Sequence, residues 1–158
     1  MAPISTTTEV ARPPAEVFAY VTDPTRFVEW QQGVLSGHMD GDGPHRVGDI
    51  CRTTRQIGGS ERSVTSEITH IDPPKTWGVR GIDGPVRAIV DLAVAPLNEG
   101  QHSRVTIELD FTGHGIGKLL VPLVVRRSAR NEMPANLDQL KRRLETPDES
   151  ASIEIGVD

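Results

Sequence analysis

The chain has 158 residues, 25% of them charged and 36% apolar, with a net charge of -5 at neutral pH. That length suits one domain with a substantial core, and the acidic balance gives no support to nucleic-acid binding by bulk electrostatics. Cys51 is the single cysteine, which excludes an internal disulfide; no apolar run approaches the roughly 20 residues of a membrane span, and Met1 to Ala11 lacks the basic and apolar regions of a secretory signal, so a cytoplasmic location is expected.

Ile4 to Ala11 is rich in Thr and Val and predicts a first strand. Pro13 and Pro14 end it, and Pro14 to Val21 opens a short helix with proline in its first turn. Asp23-Pro24 restarts the helix over about Pro24 to Trp30, Asp23 serving as N-cap. Gly33 to His38 reads as a weak strand. Met39 to Val47 reads as a surface loop, because its acids are not followed by the bidentate acid of a calcium loop.

Asp49 to Ile57 and Ser60 to Ile71 form a predicted hairpin around Gly58-Gly59, a two-residue turn signal. That turn sets Thr53 opposite Val64, Cys51 opposite Ser66 and Arg55 opposite Arg62. Opposed residues share a face. Val64 and Ile68 are the apolar members of their strand, so this face should be inward, lined partly by the small and polar groups Cys51, Thr53 and Ser66.

After the turn at Asp72-Pro73-Pro74, Lys75 to Gly81 carries Trp77 and Val79 inward, and Val86 to Ala95 does so with Ala88, Val90, Leu92 and Val94. Pro96 to His102 reads as a loop. Ser103 to Thr112 alternates Val105, Ile107, Leu109 and Phe111 inward with Thr106, Glu108 and Asp110 toward water, the pattern of an antiparallel sheet wet on one face. Arg80 and Arg87 fall on the outward face.

Ile116 to Glu145 then predicts one long amphipathic helix, about 45 Å at 1.5 Å per residue. Met133, Leu137, Leu140 and Leu144 share its inner face. Leu119, Leu120, Leu123, Val124 and Val125 add a denser apolar patch. Pro134 predicts a kink or break between Asn131 and Pro134; only in an unkinked helix would Arg126 and Arg130 join the Leu137 face. Residues 147–158 read as an acidic tail outside a single domain spanning residues 1–146. The fold class is therefore α+β, a curved antiparallel sheet of about seven strands gripping a long C-terminal helix.

This order, with Arg12-Pro-Pro-Ala-Glu-Val-Phe, Asp23-Pro24 followed by Trp30, Val47-Gly48-Asp49, Asp72-Pro73-Pro74, Gly84-Pro85, Arg104-Val-Thr-Ile-Glu-Leu-Asp110 and Leu137 to Glu145, resembles the helix-grip superfamily. That superfamily includes START domains, birch-pollen-type ligand carriers and polyketide cyclase/dehydrase proteins. The resemblance implies a hydrophobic ligand held between sheet and helix. Candidate ligand-binding residues are Trp30, Cys51, Thr53, Val64, Ser66, Trp77, Val79, Val90, Leu92, Ile107, Leu109, Phe111 and Leu123, with Arg55 and Arg62 as a candidate anion lip. Trp30 and Trp77 serve equally well as core.

Catalysis has one weak candidate. His70 follows the alternation of Val64, Ser66 and Ile68 and would suit proton transfer near neutral pH; the blander reading is a strand-end histidine near the surface, with no partner acid assigned. No His or Cys cluster has metal-ligand spacing, and no cofactor is expected. Carriage of a lipid-like or polyketide-like molecule leads, with a cyclase/dehydratase as alternative and a protein-interaction module as a weaker one. The expected partner is a hydrophobic small molecule, without nucleic acid or a membrane span; a homodimer is left open.

Overall fold

The computed structural model describes residues 3–57, 59–116, 118 and 125–146. Strand β1 (Ile4–Val10) leads into helix α1 (Pro14–Val21), a 3-10 turn (Pro24–Arg26) and helix α2 (Phe27–Trp30). Strands β2 (Val34–Met39), β3 (Ile50–Ile57), β4 (Ser60–Asp72), β5 (Thr76–Gly81), β6 (Val86–Leu97) and β7 (His102–Gly113) follow, and helix α3 (Arg126–Glu145) comes last. The strands form one seven-stranded antiparallel sheet in the order β1-β7-β6-β5-β4-β3-β2. Each of β2 to β7 lies beside its neighbour in sequence, and β1 closes on β7. The result is a curled sheet with the long helix in its grip, the α+β architecture expected.

Local chemistry explains the corner after β1. Asp23 Oδ1 accepts hydrogen bonds from the Thr25 backbone N–H at 3.0 Å and the Thr25 hydroxyl at 2.7 Å, which caps the turn that Pro24 begins. Gly37 of β2 passes so close to this turn that a Cβ there would meet the Pro24 carbonyl oxygen at about 2.5 Å. The second short helix thereby leans on the sheet edge.

The core joins Val17, Phe18 and Val21 of α1, Phe27 and Trp30 of α2, and Met133, Leu137, Leu140 and Leu144 of α3 to the inward residues of the sheet. Phe27 packs edge-on against Trp30, with ring centroids 5.9 Å apart, and against Trp77 at 6.4 Å. Both tryptophans are buried core residues.

Several expectations change. Ile116 lies in an exposed turn after β7, not in the helix, and Gly115 beside it takes φ +61°. Lys118 is already helical, Val125 has π-helical backbone and is half-buried, and the continuous α-helix runs from Arg126; the rest of the patch, Leu119, Leu120, Leu123 and Val124, lies outside the described residues, as does the tail at 147–158. The helix continues unbroken through Pro134. Arg130 and Pro134 both lie on its exposed side, where water can take the carbonyl that the missing N–H leaves unpaired. With the helix unbroken, Arg126 does join the inner face, while Arg130 stays exposed. Pro96 belongs to β6, paired with Ser103, and the connection shrinks to a turn at Asn98–Gly100.

Candidate functional site

The wall begins with the β3–β4 hairpin. Ile57 pairs with Ser60, Arg55 with Arg62, Thr53 with Val64 and Cys51 with Ser66, the register that a Gly58-Gly59 turn dictates. Cys51 and Thr53 are buried and Val64 and Ser66 half-buried. Pairing carries this face across the sheet: Ile68 sits opposite Val79, Val79 opposite Val90, and Val90 opposite Leu109.

The inward face has two halves. Toward α1 and the C-terminal half of α3, Trp77, Leu92, Val94, Val105 and Ile107 are buried. Toward the hairpin and the end of β7, Val64, Ser66, Ala88, Val90, Leu109 and Phe111 are only half-buried. The candidate ligand-binding residues divide accordingly: Trp30, Trp77, Val79, Leu92 and Ile107 are core, and the others described form the looser half with Cys51 and Thr53 at its edge. Leu123 lies outside the described residues.

The two arginines separate. Arg62 is exposed. Arg55 is half-buried, its Nε donating to Thr53 Oγ1 at 3.2 Å. Desolvation lowers the pKa of its guanidinium, an effect that Cys51 and Glu132 of α3 partly oppose through charge. An arginine remains charged under such pressure. Among the described residues no carboxylate lies within ion-pair distance of Arg55. Burial likewise pushes the Cys51 thiol up to about 11, against the favourable charge of Arg55, so it is a neutral thiol at physiological pH.

His70 is not in this wall. The β4–β5 register shifts between Ile68 and His70, so Ile71 pairs with Trp77 while His70 pairs with Gly78. The irregularity takes His70 out of the Val64-Ser66-Ile68 alternation. Its Nε2 instead lies 2.6 Å from Asp91 Oδ1, with both side chains about half exposed. Asp91 is the partner acid that sequence reasoning did not find; its outward place in β6 would have suggested it only once the irregularity in β4 was known.

A further correction concerns the far end of β7. Alternation sends Asp110 toward water. In the structure its Oδ1 accepts from Arg126 Nη1 at 2.7 Å, and the Arg126 side chain is only 5% exposed. Among the described residues, β1 covers β7 only as far as the Ile4–Leu109 pair, so Asp110 stands just past the covered edge. No group of three potential metal ligands occurs among the described residues, and none of the described helices is long and apolar enough to cross a membrane.

Solved structures with this fold include a START superfamily protein from Mycobacterium smegmatis, 14% identical with a TM-score of 0.73, covering 92% of this chain and 98% of that one. The Zhui aromatase/cyclase from a Streptomyces species is 16% identical with a TM-score of 0.67, covering 89% and 94%. A Thermus thermophilus protein is 17% identical with a TM-score of 0.70, covering 90% and 96%. No curated protein matches the chain in sequence. Residues 1–145 match the family described as polyketide cyclase/dehydrase and lipid transport, and with nearly the whole domain matched the chain belongs to that family.

Proposed function

We propose that this protein binds a hydrophobic small molecule with an anionic end, between the looser half of the sheet and the long helix. The observation that carries the reading is Arg55: a half-buried cation on the inward face, held by Thr53, with no carboxylate within ion-pair distance among the described residues. On the same face of the sheet, Val64, Ser66, Val90, Leu109 and Phe111 supply a half-buried, mostly apolar surface. A guanidinium desolvated in that setting forms strong, directional bonds to a carboxylate, sulfonate or enolate.

Carriage is favoured over a cyclase or dehydratase. Among the described residues the inward face of the sheet holds no carboxylate or imidazole, Arg55 cannot serve as a base, and residues 119–124 (Leu-Leu-Val-Pro-Leu-Val) contain no titratable side chain.

Two fluorescent probes test this. Anilinonaphthalene sulfonate is anionic, and N-phenylnaphthylamine is a neutral relative of similar shape. Both should bind the wild type. Arg55→Gln should weaken the sulfonate by about tenfold or more, as expected for a charged hydrogen bond, and leave the amine within about twofold. Arg62→Ala should change neither. Absence of saturable binding by either probe, or an unchanged sulfonate affinity in Arg55→Gln, would overturn the proposal.

A further inference from the structure

On the opposite, convex face of the sheet lies a half-open depression of about 380 Å³, lined by Arg80, Ile82, Arg87, Ile89, Thr112 and His114. The sheet register builds it. Arg80 stands opposite Ile89, and Arg87 opposite Thr112, so three strands contribute adjacent outward side chains. The His114 backbone N–H donates to the Pro85 carbonyl at 2.8 Å and fixes the rim. Two features set this place apart in a chain of net charge -5. It concentrates basic side chains, and it exposes two large aliphatic ones, Ile82 and Ile89, each 39% accessible.

Four of the carboxylates around it already have partners, and exposed Glu108 lies one pair farther along, opposite Asp91. Glu67 pairs with Arg80, Asp83 accepts from the Thr65 backbone N–H, Asp110 pairs with Arg126, and Asp91 pairs with His70. Arg87 is half-buried, and its Nε meets only the Gly84 carbonyl, at 3.2 Å. A guanidinium has five N–H donors in a fixed fork, so Arg87 retains donors for an anion, with the Thr112 hydroxyl across from it.

We infer that this depression is a second binding site, separate from the inner wall, for a small amphipathic anion. Arg87 and Thr112 take the carboxylate or phosphate, and Ile82 and Ile89 cover a compact apolar body. Neither part suffices alone: the arginine is solvent-accessible enough for bare ions to be screened, and the two isoleucines offer a small apolar area.

Phenyl phosphate is a suitable probe, with inorganic phosphate and phenol as its separate halves, followed by backbone amide NMR of the full chain. Phenyl phosphate should shift the resonances of Ile82, Ile89, Thr112 and His114 saturably, and each half should bind at least about tenfold more weakly. Arg87→Gln should weaken binding by about tenfold or more, consistent with loss of a charged hydrogen bond. Ile89→Asp, which places a carboxylate beside Arg87 on an exposed position, should do the same, and guards against misfolding of the first variant. Arg62→Gln, exposed on the hairpin, should bind like the wild type. The inference fails if no saturable shift occurs, if the shifts map to Cys51, Thr53 and Arg55 instead, or if both site variants bind normally.

Discussion

Arg126 Nη1 stands 2.7 Å from Asp110 Oδ1, and this pair fastens the start of α3 to the far end of β7. The Arg126 side chain is 5% exposed and that of Asp110 34%. Low dielectric on one side makes the pair interact more strongly than a surface pair, although desolvation offsets part of the gain.

A double-mutant cycle of Asp110→Ala and Arg126→Met should therefore give a coupling energy of about 1–3 kcal/mol by urea denaturation. The exposed Glu9–Arg104 pair, 3.1 Å apart, is the comparison and should give less than about 1 kcal/mol. Equal coupling in the two cycles would mean that burial at Arg126 adds nothing.

Gly78 and His70 make a second linked pair. A Cβ built on Gly78 collides with His70 Nε2 and comes within about 2.9 Å of Thr69 Oγ1. Gly78→Ala should cost about 1–3 kcal/mol, the range for overpacking. In a His70→Ala background, with the imidazole gone and the Thr69 hydroxyl free to adjust, the same substitution should cost less than about 1 kcal/mol. An undiminished cost in that background would show that His70 does not lie over Gly78.

The parts of the fold legible in the sequence were those governed by strict local rules. Gly-Gly flanked by Val64 and Ile68 settles both register and face, because a two-residue turn leaves one pairing and a one-residue slip would expose every apolar side chain. Asp23-Pro24 settles the corner for the same kind of reason. What escaped depends on distant partners. One irregularity in β4 moves His70 from the wall to the convex face, and nothing in Thr69-His70-Ile71 announces it. The end of β1 at Ile4 decides how Asp110 is used, and that requires knowing that the first strand pairs with the last. Pro134 carries the local signature of a kink or break, and only the packing of the helix shows that it lies on the solvent side, where the helix tolerates it. At the candidate site the inward positions of Cys51, Thr53 and Arg55 followed from register, but the separation of Arg55 from Arg62 did not. Facing residues share a side, yet two long cations there can part, one toward Thr53 and one into water.

Cys51 offers a test that needs no ligand. Its thiol is 4% exposed, and burial is the main cause of a pKa near 11, above the ordinary value of 9.0. A thiol-specific aromatic disulfide at about pH 8 should thus label the native protein at least about a hundredfold more slowly than the urea-unfolded chain, since reaction waits on opening. The raised value also fixes the sign of a pH effect. Between the two pKa values the unfolded chain releases a proton that the folded chain keeps, so raising the pH favours unfolding. The contribution of Cys51 to stability is complete below about pH 9 and is lost as the pH rises toward 11. Cys51→Ala removes that titration, so the wild type should lose stability more steeply than the variant over this window, as read from urea midpoints at successive pH values. Parallel pH profiles for the two proteins, or fast labelling of the folded wild type, would place the thiol in contact with water and remove it from the buried edge of the wall beside Arg55.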